Sequence, residues 1–457
     1  MRERLLSVWR RILSLSWPVM VEQTTRTLMR TVDILVTALF SPVAVAAIGL
    51  ADLYARFPLW VGLGMGSGAI ALSSQDTGSG ATANRDEAIS QALVVGAVIG
   101  IPFAIGGVLF GEQAIALLGA PTEVASLGGT YLAIVLATAP ARHVGLIAAR
   151  SLQGTGDTRT PMYVNIVANV LNIVGSITLG LGLLGAPRLS VVGVGIATAA
   201  ANVFTAVMLL GALATGVADA NLARPQDLLI TKQLLQVSAP SVGEGLVSTL
   251  VEFPLNAILL GFGTEVNAAF HIGRRLYQQL TGPISRGFHV GASVLVGQSL
   301  GAGDAALARF QGWATAGLGA LLVGGFGVLL AVVAEPFVSV FTDDAATITY
   351  ATGFARVYGL TAIFLVTFAI LQGAFAGASE TRIPFVARTS GLAIFMLGFT
   401  YLVGVVLDYG VVGAYFGIGL AYVWMALVVV VSFHRGDWAD RAASMLAERG
   451  SVAPDDG

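Results

Sequence analysis

Cysteine is missing from all 457 residues, which excludes disulfides, iron–sulfur clusters and thiolate catalysis together and leaves the redox compartment unread. Lysine is nearly missing too: Lys232 is alone among 24 basic residues, a bias that genome composition by itself can produce. Charge of either sign is scarce, at 11% of residues and a net −2, so nothing points to nucleic acid as a partner. The four histidines, His143, His271, His289 and His434, show no metal-ligand spacing, which with no cysteine argues against zinc. No nucleotide-binding loop stands in the chain, and no nucleophile–base pair for an intramembrane enzyme. The run Gly62-Leu63-Gly64-Met65-Gly66-Ser67-Gly68 lies inside an apolar stretch rather than between strand and helix, so it reads as close helix packing.

What the chain has in excess is apolar length. Apolar residues make up 56% and the mean hydropathy is +0.82, well outside the usual range of water-soluble domains. A hydrocarbon core of roughly 30 Å needs about 20 apolar helical residues. Such crossings fall near 12–39, 43–73, 88–110, 126–148, 161–184, 190–215, 233–262, 265–299, 307–334, 347–377, 383–407 and 411–433. They lack the alternation of barrel strands, so the expected fold is an all-α membrane protein with twelve transmembrane helices. Met1 to Arg11 reads as a retained leader. Arginines gather on one set of connectors, Arg85, Arg150, Arg159, Arg224, Arg309, Arg382 and Arg388 with Lys232, while the other set offers only Arg188. The asymmetry places both termini in the cytoplasm of a multi-pass cell-membrane protein.

The two halves repeat. A shift of 223 residues lays Gly154-Thr155-Gly156-Asp157-Thr158-Arg159-Thr160-Pro161 on Gly377-Ala378-Ser379-Glu380-Thr381-Arg382-Ile383-Pro384, and Gln75-Asp76-Thr77-Gly78-Ser79-Gly80 on Gln298-Ser299-Leu300-Gly301-Ala302-Gly303. These matches sit in polar connectors, where apolar low complexity cannot generate them. Six crossings is an even number, so the copies are parallel repeats: two pseudo-symmetric six-helix lobes, 1–220 and 221–434, with a cleft between them as the expected path and a cytoplasmic tail at 435–457. The polar stretch 216–231 reads as the linker.

Ionisable groups inside hydrocarbon cost several kcal/mol unless paired or hydrated, and by default mark function. The first crossing carries Glu22, Arg26, Arg30 and Asp33 on one helical stripe. Asp33 is the first choice for a coupling-ion site; the plainer reading is that it neutralises Arg30. Asn256 holds the equivalent place in the seventh crossing, where the charge is missing, which favours a site in the first lobe. Asn165, Asn169, Asn172 and Ser176 share a face of the fifth crossing, and Thr198 with Asn202 a face of the sixth, where they could complete that site or merely knit helices together. Glu244 and Glu252 stand two turns apart in the seventh crossing, Glu252 being the better candidate for a substrate cleft, whose other candidates are Glu22, Arg26, Arg30, Asn256 and Arg275 of the eighth. Asp52 and Arg56 are spaced for a structural pair, and Pro18 for a hinge or a static kink. Bases outnumber acids within the crossings, so an anionic or zwitterionic substrate is open beside a cationic one.

The twelve crossings, the repeat, Val296-Gly297-Gln298-Ser299-Leu300-Gly301-Ala302-Gly303-Asp304 and Gly154-Thr155-Gly156-Asp157-Thr158-Arg159-Thr160-Pro161 together resemble the multidrug and toxic compound extrusion (MATE) family, prokaryotic branch, over residues 8–434. The resemblance implies a secondary antiporter that exports small organic or amphipathic compounds while admitting H⁺ or Na⁺, with no other cofactor, acting as a monomer in the bilayer. It implies that Asp33 binds the driving cation, Na⁺ being the one metal ion expected there, and that Asn172 is a second cation ligand. Four residues later the family's aspartate is replaced by Ser176, which leaves the coupling ion open. The alternative is a flippase or exporter of lipid-linked or amphipathic anions.

Overall fold

The computed structural model describes residues 2–450; the end of the expected tail, 451–457, lies outside the described residues. Within them every regular element is a helix. The first six crossings are α1 (Arg2–Ala38), α2 (Pro42–Gly78), α3 (Thr82–Ala116), the pair α4 (Thr122–Ala137) and α5 (Ala139–Thr155), α6 (Arg159–Leu181) and α7 (Ser190–Ala214). The second six are α8 (Leu228–Phe262), α9 (Thr264–Gly301), α10 (Ala305–Val332) followed by the short α11 (Ala334–Val338), α12 (Ala345–Gly377), α13 (Arg382–Ser390) continued by a π-helical stretch over Gly391–Val406, and α14 (Val411–Arg435). A last helix, α15 (Trp438–Glu448), follows.

Among the described residues nine spans are long and apolar enough to cross a membrane unaided, and the α4–α5 pair makes a tenth. α1 and α9, with 37 and 38 residues, have length to spare but carry the ionisable stripes. These account for the twelve expected crossings. The fourth is bent by 49° at Thr138, because Pro140 lacks an N–H and its ring is tolerated only in the first turn of a new helix.

The chain divides into two compact units. One takes Val21–Thr77 and Ala81–Val242; the other takes the chain before Val21, Gly78–Gly80 and the described chain from Gly243 onward. α1 and α8, the first helix of each sequence half, thus contribute to both units, and each changes unit three residues after a proline, Pro18 and Pro240.

Small residues let the helices of the first unit touch. In the Gly62–Gly68 run, a Cβ on Gly62 would stand 2.9 Å from the His143 ring, one on Gly64 2.7 Å from the Val242 backbone nitrogen, and one on Gly66 2.8 Å from Arg150 Cγ. The run is a packing surface, as expected, onto which α5 and the start of α8 close. The linker is held rather than slack: Glu87 of α3 accepts from the backbone N–H groups of Gln226 and Asp227, Ser90 Oγ accepts from Ala223 N at 2.8 Å, and Gln91 donates to the Asp227 carbonyl at 2.9 Å. The second unit is built on an aromatic core, with Tyr277 stacked on Tyr358 and Phe433 on Trp438. The latter contact seats α15 on the end of α14.

Candidate functional site

The first unit gathers a polar cluster in an otherwise apolar bundle. Asp33 sits five residues before the end of α1, about 7–8 Å from that end, and is half-buried. Opposite it, α6 and α7 approach closely because Gly193 lies on the Leu179–Gly180 backbone and Gly175 on Ala197. That approach brings buried Asn172 of α6 to Thr198 of α7. With its amide turned as its neighbours dictate, Asn172 Nδ2 donates to Asp33 Oδ1 at 3.1 Å and Oδ2 at 3.2 Å, while its Oδ1 accepts from Thr198 Oγ1 at 3.1 Å. The Ser176 hydroxyl, one turn along α6 and fully buried, also reaches the Asp33 carboxylate.

The opposite amide orientation has partners as well. There Nδ2 donates to Thr198 Oγ1 at 3.1 Å and Oδ1 accepts from Ser176 Oγ at 3.3 Å, while Thr198 donates to the Val194 carbonyl at 3.0 Å. The amide oxygen then faces the Asp33 carboxylate. Two acceptors tolerate that geometry only if a proton or a cation lies between them. Facing acceptor to acceptor, that orientation is disfavoured, and the amide that donates to Asp33 is the one its neighbours satisfy.

Of the residues singled out in the sequence, Asp33, Asn172, Ser176 and Thr198 meet. Asn202 turns elsewhere: its Nδ2 donates to Thr138 Oγ1 at 3.2 Å, because one further turn of α7 faces the α4–α5 break instead of α6. The α1 stripe is not uniformly interior, since Glu22 is buried, Arg26 partly buried and Arg30 exposed. Glu22 acts on Arg150 of α5. Among the described residues Asp33 and Arg30 form no direct ion pair, nor do Asp52 and Arg56, but Arg30 acts on Asp33 and Arg56 on Asp52 at longer range. Arg30, Arg142 and Arg56 all lie within electrostatic reach of Asp52. Tyr131, buried on α4 beside Thr198, belongs to the same group; in the sequence it was one aromatic among apolar residues, with no signal to distinguish it from core.

The second unit places its charges differently. Glu252 is ion-paired with Arg274 of α9, and Asn256 Oδ1 meets His271 Nε2 at 2.9 Å. Glu244 turns instead to Arg388 of α13 and accepts from Gln372 Nε2 of α12 at 2.6 Å. The two glutamates therefore serve different neighbours and do not line one face together. Arg275 is exposed. His289 Nδ1 lies 2.8 Å from the Ala369 carbonyl, and His143 is enclosed between the Gly96 and Pro58 carbonyls, so these histidines hydrogen-bond within the bundle. Among the described residues no three His, Asp or Glu side chains converge as a metal site.

Comparison with known proteins agrees with the fold. The chain is 28% identical over 96% of its length, and 95% of the other's, to "Probable multidrug resistance protein NorM" of Rhodopseudomonas palustris. It is 27% identical to the protein of the same name from Bradyrhizobium diazoefficiens, with 92% and 91% covered. Its fold matches a crystal structure of MATE in complex with MaD3S at a TM-score of 0.86, with 19% identity and 95% and 96% covered. It also matches a MOP superfamily transporter from Pyrococcus furiosus, whose binding pocket is described as of reverse polarity, at 0.84, with 19% identity and the same shares covered. Residues 18–178 and 240–402 each match the MatE family. The chain belongs to the MatE family.

Proposed function

We propose that this protein is a secondary exporter of small organic or amphipathic compounds, of the multidrug-efflux type, driven by entry of H⁺ or Na⁺ and working by alternating access. The observation that carries the reading is the Asp33–Asn172–Ser176–Thr198 cluster, in which a membrane-span carboxylate is surrounded by neutral amide and hydroxyl groups from α6 and α7. An ion bound at such a carboxylate can bias a conformational equilibrium, provided it binds one conformation better than the other. Asp33 holds the coupling ion, Asn172 and Thr198 sense it, and Ser176 supplies a neutral oxygen. Oxygen ligands of this kind suit a hard cation such as Na⁺ as well as a proton. In the second unit, Asn256 bonded to His271 and Glu252 neutralised by Arg274 leave no comparable carboxylate, which supports coupling in the first half. The names of the NorM relatives support drug-like substrates. The arginine distribution supports cytoplasmic termini.

A second reading, export or flipping of amphipathic anions, is favoured by the arginines around Asp52. The test is substrate efflux from proteoliposomes under separately imposed pH and sodium gradients, with Asp33→Asn and Asn172→Ala beside the wild type. Gradient-driven export that survives Asp33→Asn unchanged rejects the coupling assignment.

A further inference from the structure

His143 of α5 has no part in the coupling cluster, yet among the described residues it is the one histidine fully buried, and it lies inside a membrane span. Two glycines let α5 close on α2 and α3 at once. A Cβ on Gly62 of α2 would lie 2.9 Å from His143 Cδ2, and one on Gly96 of α3 would lie 2.1 Å from Ile147 Cδ1, one turn along α5. With only hydrogen in both places, the imidazole reaches backbone on either side. Nδ1 stands 3.0 Å from the Gly96 carbonyl oxygen, and Nε2 stands 2.8 Å from that of Pro58, one turn before Gly62. Phe103 of α3 sets its ring edge-on to the imidazole, with centroids 6.1 Å apart.

A neutral imidazole has one N–H donor and one bare acceptor nitrogen. Whichever tautomer it takes, one carbonyl oxygen then faces a lone pair at hydrogen-bond distance, which neither group tolerates. Turning the ring over brings carbon atoms onto both carbonyls and satisfies neither. Only the imidazolium, with two N–H groups, meets both acceptors, and hydrogen bonds from a charged donor are stronger than neutral ones. Burial itself and Arg142, the preceding residue of α5, oppose the charge. The other ionisable groups on helices beside α5 are Asp52, Tyr54 and Arg56 ahead of Pro58 on α2, Tyr131 on α4, and Arg159 and Tyr163 at the start of α6; α3 has none between Glu87 and Glu112, and α7 has none at all. None of them makes a hydrogen bond with the imidazole, whose two ring nitrogens both go to carbonyls.

We propose that His143 is a proton-binding site separate from Asp33, holding an imidazolium that fastens α5 to α2 and α3 through the Pro58 and Gly96 carbonyls. The proton strengthens that seam, and by reciprocity the closed seam strengthens the proton's binding by the same factor. If α5 withdraws from either helix by the length of one hydrogen bond, one donor is orphaned and the proton is released. Neither statement depends on Asp33 as the coupling residue.

The experiment is nitrogen-15 NMR of the full-length protein, labelled at histidine, in nanodiscs at pH about 8, where an exposed histidine is about 97% neutral. Four histidines give few signals, and loss of one in His143→Gln assigns it. Both ring nitrogens of His143 should be protonated in most molecules, whereas exposed His434 should show one protonated and one bare nitrogen. One bare nitrogen at His143 in the wild type overturns the proton site. Gly62→Val, which keeps the histidine but pushes its ring off the Pro58 carbonyl, should convert His143 to the neutral pattern at the same pH. A His143 that stays doubly protonated in Gly62→Val overturns the link between the proton and the seam.

Discussion

Asn172 presents its amide to both carboxylate oxygens of Asp33, at 3.1 and 3.2 Å, across the gap between α6 and α1. The amide is the one side chain in the cluster that can meet a carboxylate as donor and a cation as acceptor without moving its backbone. Its oxygen accepts from Thr198 Oγ1, so the same amide ties the carboxylate to α7.

Replacing Asp33 by Asn keeps the size of the side chain and removes the charge. Insertion and thermal stability should be close to those of the wild type, while gradient-driven efflux from proteoliposomes is lost. Asn172→Ala removes a charge-assisted hydrogen bond, a class worth about 1.5–3 kcal/mol. Efflux in that variant should fall roughly tenfold or more and require a steeper gradient.

Ser176, where the resemblance implies an aspartate in the family, reaches the same carboxylate. Ser176→Asp places a second acid beside Asp33. Two carboxylates around one buried space attract a monovalent cation more strongly than one, by roughly tenfold even at a high effective dielectric. Sodium binding by calorimetry at alkaline pH should tighten accordingly, and unchanged sodium affinity would count against Ser176 facing the ion.

The crossings were legible because hydrocarbon demands long apolar helices, and the repeat because its matching residues sit in polar connectors. Asp33 was legible because ionisable groups within a span stand out, and it is the acid at the outer end of the Glu22, Arg26, Arg30 and Asp33 stripe. Partners were harder to read. Asn202 and Thr198 share a face of α7, yet one helical turn separates a contact with Asn172 from a contact with Thr138, and that choice is made by the α4–α5 break at Pro140. Glu244 and Glu252 look equivalent along α8 but face different helices. Spacing defines a face of one helix; which neighbour covers that face depends on small residues in other helices.

The two glutamates therefore separate by experiment. Glu244 is buried, with 6% of its side chain accessible, and Arg388 keeps 28%. Glu244→Ala leaves a partly buried guanidinium without its partner, and the partial exposure of Arg388 reduces the cost below that of a fully enclosed pair, to about 2 kcal/mol. The melting temperature should drop while the ion dependence of efflux is unchanged. Glu252→Gln, whose site shares a quarter of its surface with solvent on both partners, should cost less stability; if it instead abolishes coupling while Asp33→Asn does not, the coupling site belongs to the second unit.

The glycine run of α2 makes a last prediction about packing rather than transport. A Cβ on Gly64 would lie 2.7 Å from the Val242 backbone nitrogen, a distance no side chain adopts, and the obstruction is backbone rather than a flexible tip. Helix association in a bilayer depends on such close approach, because lipid tails are as apolar as the helices and give no hydrophobic drive. Gly64→Val should therefore push α8 away from α2 and destabilise the first unit by about 1–3 kcal/mol or more. Gly106→Val in α3, where a Cβ meets nothing within 4 Å, is the matched control. Thermal unfolding in detergent should separate the two variants, with Gly106→Val near the wild type; equal melting temperatures would mean that α2 and α8 do not pack through Gly64.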